Sequence, residues 1–258
     1  MGDWNPYLYK RFEKQRTQPV KDLIHSIELE QVNSVLDIGC GPGNSTEELA
    51  RRWNNAKIIG IDSSLNMIEQ AKVRLPSIRF ELIDANEDLS NLGKFDLVFS
   101  NAAIQWMPNH RELITKFYKL LNNNGVLAIQ LPEVSSMAIQ RAVEETAMNL
   151  KWSHRFNKSS EFNYDKMDYY YSICAELSKE INLWETDYYH IMDNHQNIID
   201  WYKSTGMKPY LEKLECEEDR LSFEKEVLER ITKSYRIQLD GRVLFPFKRL
   251  FFIVYKSN

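Results

Sequence analysis

Three glycines at alternate positions, Gly39, Gly41 and Gly43, follow an apolar run that carries one carboxylate, Asp37, and lead into Asn44-Ser45-Thr46. Glycine lets the backbone turn sharply and lets a ligand approach the main chain. A helix starting at Asn44-Ser45-Thr46 offers unpaired N–H groups. A strand, a glycine turn and a capped helix open a nucleotide-type binding site. The spacing is G-x-G-x-G, which is neither the dinucleotide G-x-G-x-x-G nor the phosphate loop G-x-x-x-x-G-K-[ST]. Three polar groups follow in order. Asp62 can accept from both hydroxyls of a ribose and would repel a 2′-phosphate. Asp84-Ala85 can accept from an adenine amino group. Asn101, with Gln105-Trp106 shortly after it, reaches the middle of such a site. A lone Asp after a strand is commonly a turn or cap residue. It is the ordered set that points to an adenosine-bearing cofactor.

These groups need strand ends to stand on. Short apolar runs at 34–38, 57–61, 79–83, 95–100 and 125–130 alternate with helical patterns at 45–53, 64–74 and 111–121. That rhythm means right-handed β-α-β units and a parallel sheet. Residues 5–29 read as helical, with Pro19 as a possible break. After Pro132 the pattern changes. Residues 135–180 and 195–236 are mostly helical, with a Gly206/Pro209 break in the second block, and 181–191 and 247–255 read as late strands. The expected organisation is N-terminal helices plus a cofactor-binding α/β core over 1–131. Helical cap insertions plus the last two strands of the sheet then fill 132–258.

The 258 residues are 43% hydrophobic and 27% charged, enough for a substantial core. With 33 basic and 37 acidic residues well mixed, the net charge is −4, and no basic stripe marks a nucleic-acid surface. Three scattered cysteines, Cys40, Cys174 and Cys216, form no C-x-x-C and suit a reducing compartment. No apolar run approaches the roughly 18 residues of a membrane span, and the N-terminus is not built like a signal peptide. A cytoplasmic protein, monomeric or weakly self-associating, is expected, with no membrane, nucleic-acid or metal partner.

Residues 36–43, Leu-Asp-Ile-Gly-Cys-Gly-Pro-Gly, resemble the first motif of class I S-adenosylmethionine-dependent methyltransferases. Gly60-Ile61-Asp62-Ser63-Ser64 with Met67 resembles their second motif, and Asp84-Ala85 and Phe95 to Asn101 resemble the third and fourth. The resemblance implies a doubly wound, mostly parallel seven-stranded Rossmann-like sheet whose last strand runs antiparallel within the sheet. It also implies S-adenosylmethionine as the methyl donor, held by Asp37, Gly39, Cys40, Gly41, Asn44, Asp62, Ser63, Met67, Asp84, Ala85 and Asn101. Further segments resemble the branch of that family that methylates trans-aconitate. These are Asp3-Trp4-Asn5-Pro6 with Leu8-Tyr9, Ala102 to Trp106, Tyr188-Tyr189-His190, Ile198 to Trp201 with Thr205-Gly206, and Arg249-Leu250-Phe251. The chain departs from that branch after the fifth strand, where Pro132-Glu133-Val134-Ser135-Ser136-Met137 replaces an Asn-containing turn and Pro-Ser-His.

A carboxylate acceptor is already ionised near neutral pH and needs no general base, so no catalytic residue is expected. Alignment and a dry pocket carry the reaction. Trp4, Tyr9, Trp106, Tyr188, Tyr189 and Trp201 are aromatic candidates for the acceptor pocket. Arg249 suits a carboxylate, with Gln105, Tyr189 and His190 adding hydrogen bonds. Arg16 or Arg11 on the first helix suits the methionine carboxylate or the acceptor. For Arg249 and His190 a structural role, as an edge-strand ion pair or a core histidine, carries equal weight. Trp53, Trp152 and Trp184 are assigned to packing, and the acidic run 215–219 to a solvated helix start. Three other functions compete: methylation of another small O or N acceptor, a nicotinamide-dependent oxidoreductase, and a non-catalytic cofactor binder. The glycine spacing and the lack of a Tyr-x-x-x-Lys pair disfavour the oxidoreductase.

Overall fold

The computed structural model describes residues 13–156, 163–203 and 205–257. Among them, one sheet has strands β1 (Ser34–Ile38), β2 (Lys57–Asp62), β3 (Arg79–Leu82), β4 (Phe95–Asn101), β5 (Leu121–Pro132), β6 (Ile181–Met192) and β7 (Val243–Tyr255). Their order is β3-β2-β1-β4-β5-β7-β6. β1 to β5 pair in parallel, and β7 runs antiparallel to β5. Chain order steps outward from β1 to β3, then restarts at β4 beside β1. That reversal is the place where ligands bind beyond the strand carboxyl ends.

The helices are α1 (Glu13–His25), α2 (Asn44–Arg52), α3 (Leu65–Arg74), α4 (His110–Lys119), α5 (Ala138–Ala147), α6 (Met167–Leu177), α7 (His195–Lys203), α8 (Lys208–Leu211) and α9 (Glu217–Ile231). The chain divides into two compact units. The larger comprises Lys14–Pro132, Asn163–Thr186 and residues 249–257. The smaller comprises Glu13 and residues 133–156, 187–203 and 205–248.

In the larger unit, register sorts the strand residues into two faces. Asp37, Phe99, Ala128 and Ile253 stand on one, and Asn101, Gln130 and Phe251 continue it. The intervening residues Leu36, Val98, Leu127, Ile129 and Phe252 belong to the other. They share a buried cluster with Leu113, Ile114 and Phe117 of α4 and Tyr170 and Ile173 of α6. Strands buried on both faces explain the near-continuous apolar runs of the sequence. Two expectations fail here. Pro19 does not break α1, which runs through it. Burial of Val20, Leu23 and Ile24, at about 1.5–3 kcal/mol each, outweighs the ~3 kcal/mol cost of a helical proline. β5 begins at Leu121 rather than Gly125, because a register shift against β4 between Phe95 and Leu97 absorbs the extra residues.

In the smaller unit, α9 packs on α5 and α7. Trp152 and Phe156 make edge contacts with Phe223, and Phe223 stacks with Tyr210. The acidic first turn of α9, Glu217-Glu218-Asp219, lies at the positive end of the helix, whose N-cap is Cys216.

Candidate cofactor and acceptor site

The glycine turn leaves β1 with the Gly39 and Cys40 N–H groups donating to the Ile61 carbonyl at 2.8 and 3.0 Å. Gly39 has φ +69, and a Cβ there would lie 2.2 Å from Ala103 Cβ, so no side chain fits. Gly41 has φ +54, and a Cβ there would meet nothing within 4 Å. The turn is therefore tight on one side and accessible on the other. Its N–H groups are spoken for in part: Gly41 donates to Asp62 Oδ2 at 2.9 Å. Asp62 Oδ1 accepts from the Ser64 N–H at 2.9 Å. Asp62 thus ties the turn after β1 to the start of α3. Each oxygen keeps a lone pair for a ribose hydroxyl. Burial pushes its carboxyl up, against the backbone N–H groups that favour ionisation.

Asp37 is fully buried. Its Oδ2 accepts from Ser45 Oγ at 2.7 Å and Thr46 Oγ1 at 2.6 Å, in the first turn of α2. Burial raises the Asp37 carboxyl to about 6, with the Thr46 and Ser45 hydroxyls opposing the rise. Its Oδ1 is buried and has no partner among the described residues. Cys40 turns inward to pack with Ile68, Ala71 and Phe80, and burial pushes its thiol far up. What it adds to the site is packing beneath the turn. Asn44 Oδ1 accepts from Arg74 Nη1 at 3.1 Å. Ser63 is exposed, and Met67 is buried on α3 behind its cap residue Ser64. Asp84 is exposed and folds back on Asn86, accepting from its N–H at 2.9 Å and its side chain at 2.8 Å. The Ala85 carbonyl accepts from Lys116 Nζ at 2.5 Å.

At the end of β4, Asn101 stands in register with Gln130 of β5, and Asn101 Oδ1 is another buried acceptor without a partner among the described residues. Ala102 then takes φ +52 and donates its N–H to the Gln130 carbonyl at 2.9 Å. Gln105 Nε2 donates to the Ala102 carbonyl at 2.6 Å, leaving its Oε1 unpaired in the same sense. A buried histidine fixes this loop. His110 Nε2–H donates to the Ile104 carbonyl at 2.8 Å, and its Nδ1 accepts from the Tyr170 hydroxyl at 2.9 Å. Burial holds His110 below the usual histidine range, which keeps it neutral in this role. Sequence reading missed His110, Tyr170 and Gln130. For Gln130 a signal existed, since it is the one polar residue in the run Val126 to Leu131.

Arg249 is buried on β7, opposite Pro132. β7 lies between β5 and β6, so an edge-strand arginine in a surface ion pair is ruled out. The other acceptor candidates belong to the smaller unit. His190 stacks on Trp201 with ring centroids 4.8 Å apart, beside Phe245 and Phe247 at 6.1 and 6.2 Å. Trp201 is 1% exposed, which makes it a core residue of this unit. Tyr189 and His190 are consecutive on β6, so they occupy opposite faces of the strand. Exposed Tyr189 lines a groove of about 470 Å³ with Ser136, Met137, Tyr235, Arg236 and Lys248. The segment that departs from the trans-aconitate branch is locally self-contained. The Glu133 carboxylate accepts from the Ser135 N–H at 2.8 Å and from both serine hydroxyls. Trp4 and Tyr9 lie outside the described residues, as does Arg11; nothing is described of the Arg16 side chain.

Residues 29–196 match the family model described as a methyltransferase domain. The chain is 38% identical to a protein of Enterobacter sp. (strain 638) named trans-aconitate 2-methyltransferase, over 98% of both chains. Proteins of the same name from Escherichia coli K12 and Rhodopseudomonas palustris are 39% and 37% identical, over 98–100% of each chain. The chain belongs to the trans-aconitate 2-methyltransferase family.

Solved structures agree on the fold. A Haemonchus contortus phosphoethanolamine N-methyltransferase 2, in complex with phosphomonomethylethanolamine and S-adenosylhomocysteine, superposes with TM-score 0.61 at 16% identity, over 98% of this chain and 57% of that one. The YcgJ protein of Bacillus subtilis gives 0.58 at 14% identity, over 93% and 98%. The seven-stranded order with β7 antiparallel to β5 is thus that of a class I methyltransferase, as the motifs of this family member implied. Its turn and strand ends fit an adenosine cofactor with amino and hydroxyl donors: Asp37 Oδ1 and Asn101 Oδ1 are unspent buried acceptors, and Gly41 leaves room for close approach.

Proposed function

We propose that this methyltransferase moves a methyl group from S-adenosylmethionine to a carboxylate of trans-aconitate, giving a monomethyl ester and S-adenosylhomocysteine. The observation that carries the acceptor is the 37–39% identity along essentially the whole chain to proteins named for that reaction. The buried guanidinium of Arg249 supports it chemically, because a polycarboxylic acid needs a cationic partner away from water.

When bound, the cofactor supplies a methyl group on a positively charged sulfur, which a carboxylate oxygen attacks in line. The chain's residues do the rest. Asp62 accepts from the ribose hydroxyls with the lone pairs that Gly41 and Ser64 leave. Asp37 Oδ1 accepts from the amino group. Arg249 holds a carboxylate with two N–H groups, and His110 keeps the Ile104-Gln105-Trp106 loop in place. Positive charge disperses during the transfer, so a water-poor surround favours it, and half-buried Trp106 provides apolar surface. Of the smaller unit's candidates, exposed Tyr189 has a side chain available to a ligand, whereas His190 and Trp201 are packed together. Among the described residues no helix is long and apolar enough to cross a membrane. The exposed free thiol of Cys216 suits a reducing cytoplasm.

Labelled S-adenosylmethionine with a panel of small acids tests this reading. Labelled ester should form from trans-aconitate. Transfer only to a different O or N acceptor would keep the methyltransferase and discard the acid.

A further inference from the structure

Gln130 is 0% exposed, and neither its Nε2 nor its Oε1 has a hydrogen-bond partner among the described residues. A buried amide without partners has given up water with no return, which native interiors rarely tolerate. Its position narrows the explanation. It lies near the carboxyl end of β5, next to β4, on the ligand-binding side of the sheet. Its in-register neighbours are Asn101 on β4 and Phe251 on β7. Arg249 is its diagonal neighbour on the same face, at a separation of roughly 7–8 Å for such pairs. One buried face thus presents a guanidinium, an amide donor and two amide oxygens.

We propose that Gln130 is a specificity-determining residue for the acceptor. Its Nε2 donates to one carboxylate of the polycarboxylic acid while Arg249 holds another. This rests on the reading of the acceptor as a polycarboxylate. The amide adds a donor without adding a second charge, so it rewards an extra carboxylate without trapping simple anions. A monocarboxylate would leave the amide unpaired and bind less well, as buried polar groups left without a partner are costly.

Gln130→Met and Gln130→Glu, assayed against trans-aconitate and against crotonate, its monocarboxylate counterpart, test the proposal. Both variants should raise the KM for trans-aconitate at least tenfold and narrow its advantage over crotonate. Binding of S-adenosylhomocysteine should stay within twofold of wild type. Gln130→Met should melt no lower than wild type, since it removes an unpaired amide; if Gln130→Glu does not fold, Gln130→Met decides alone. An unchanged KM would make the amide structural and overturn the proposal. A tenfold loss of S-adenosylhomocysteine binding would overturn it in favour of a cofactor contact. If the wild-type enzyme methylates no polycarboxylate, the acceptor reading falls and this proposal with it; normal wild-type turnover with unaltered variants sinks this proposal alone.

Discussion

Gly41 donates its N–H to Asp62 Oδ2 at 2.9 Å, so the residue proposed to hold the ribose also holds the glycine turn proposed to face the cofactor. The other carboxylate oxygen, on the Ser64 N–H, fixes the start of α3. Two loops at the chain reversal therefore share one anchor.

Replacing Asp62 by Ala removes the ribose contacts and loosens the turn together. Binding of S-adenosylhomocysteine should weaken by about 1.5–3 kcal/mol, the range for lost hydrogen bonds to a charged group, and calorimetry reads it. Asp62→Asn keeps one oxygen acceptor and should lose less. Unchanged binding in the alanine variant would remove the ribose role.

Asp37 links binding to pH. Its carboxyl is raised to about 6 by burial, above the unfolded value near 3.9. Its contribution to stability is therefore full below about pH 4 and is lost as pH rises through 6, a loss on the order of 3 kcal/mol. A cationic amino group beside Oδ1 favours the ionised form. S-adenosylhomocysteine should accordingly bind more tightly as pH rises through 6, and at pH 5 binding should release a proton, seen as a buffer-dependent enthalpy. Asp37→Asn should abolish both effects. A flat wild-type profile from pH 5 to 7 would place the amino group elsewhere.

Arg249→Ala should raise the KM for a polyacid by roughly 10- to 100-fold, matching about 1.5–3 kcal/mol for charged hydrogen bonds. Affinity for S-adenosylhomocysteine should hold. Arg249→Lys keeps the charge without the two-pronged geometry and should recover only part of the loss. Normal kinetics in the alanine variant would make the buried arginine structural.

Trp201→Ala empties a fully buried aromatic site against His190, Phe245 and Phe247. It should cost about 3–5 kcal/mol of stability, and Trp201→Phe much less, as thermal melting would show. A normal melting temperature with a raised KM would return Trp201 to the acceptor pocket.

Much of the larger unit was legible because each β-α junction advertises itself: an apolar run, then a glycine or acidic residue, then a helix cap. The strands read at 34–38 and 95–100, the glycine turn and Asp62 all follow from that rule. Trp53 and Trp152 are buried, and Trp184 stacks on Phe251 at 4.7 Å, as packing assignments required. Illegible were the features set by register. Nothing local says that Gln130 stands beside Asn101, that Arg249 lies diagonal to Gln130, or that His110 meets Tyr170 sixty residues later. Strand alternation also sets which of two adjacent candidates faces outward: Tyr189 is exposed and His190 is buried.

Methyl transfer itself is the most direct test. The purified protein, incubated with labelled S-adenosylmethionine and trans-aconitate, should yield a labelled, base-labile monomethyl ester and one equivalent of S-adenosylhomocysteine. Tight binding of S-adenosylhomocysteine with no label transferred to trans-aconitate at any pH between 6 and 9 would contradict the proposed function.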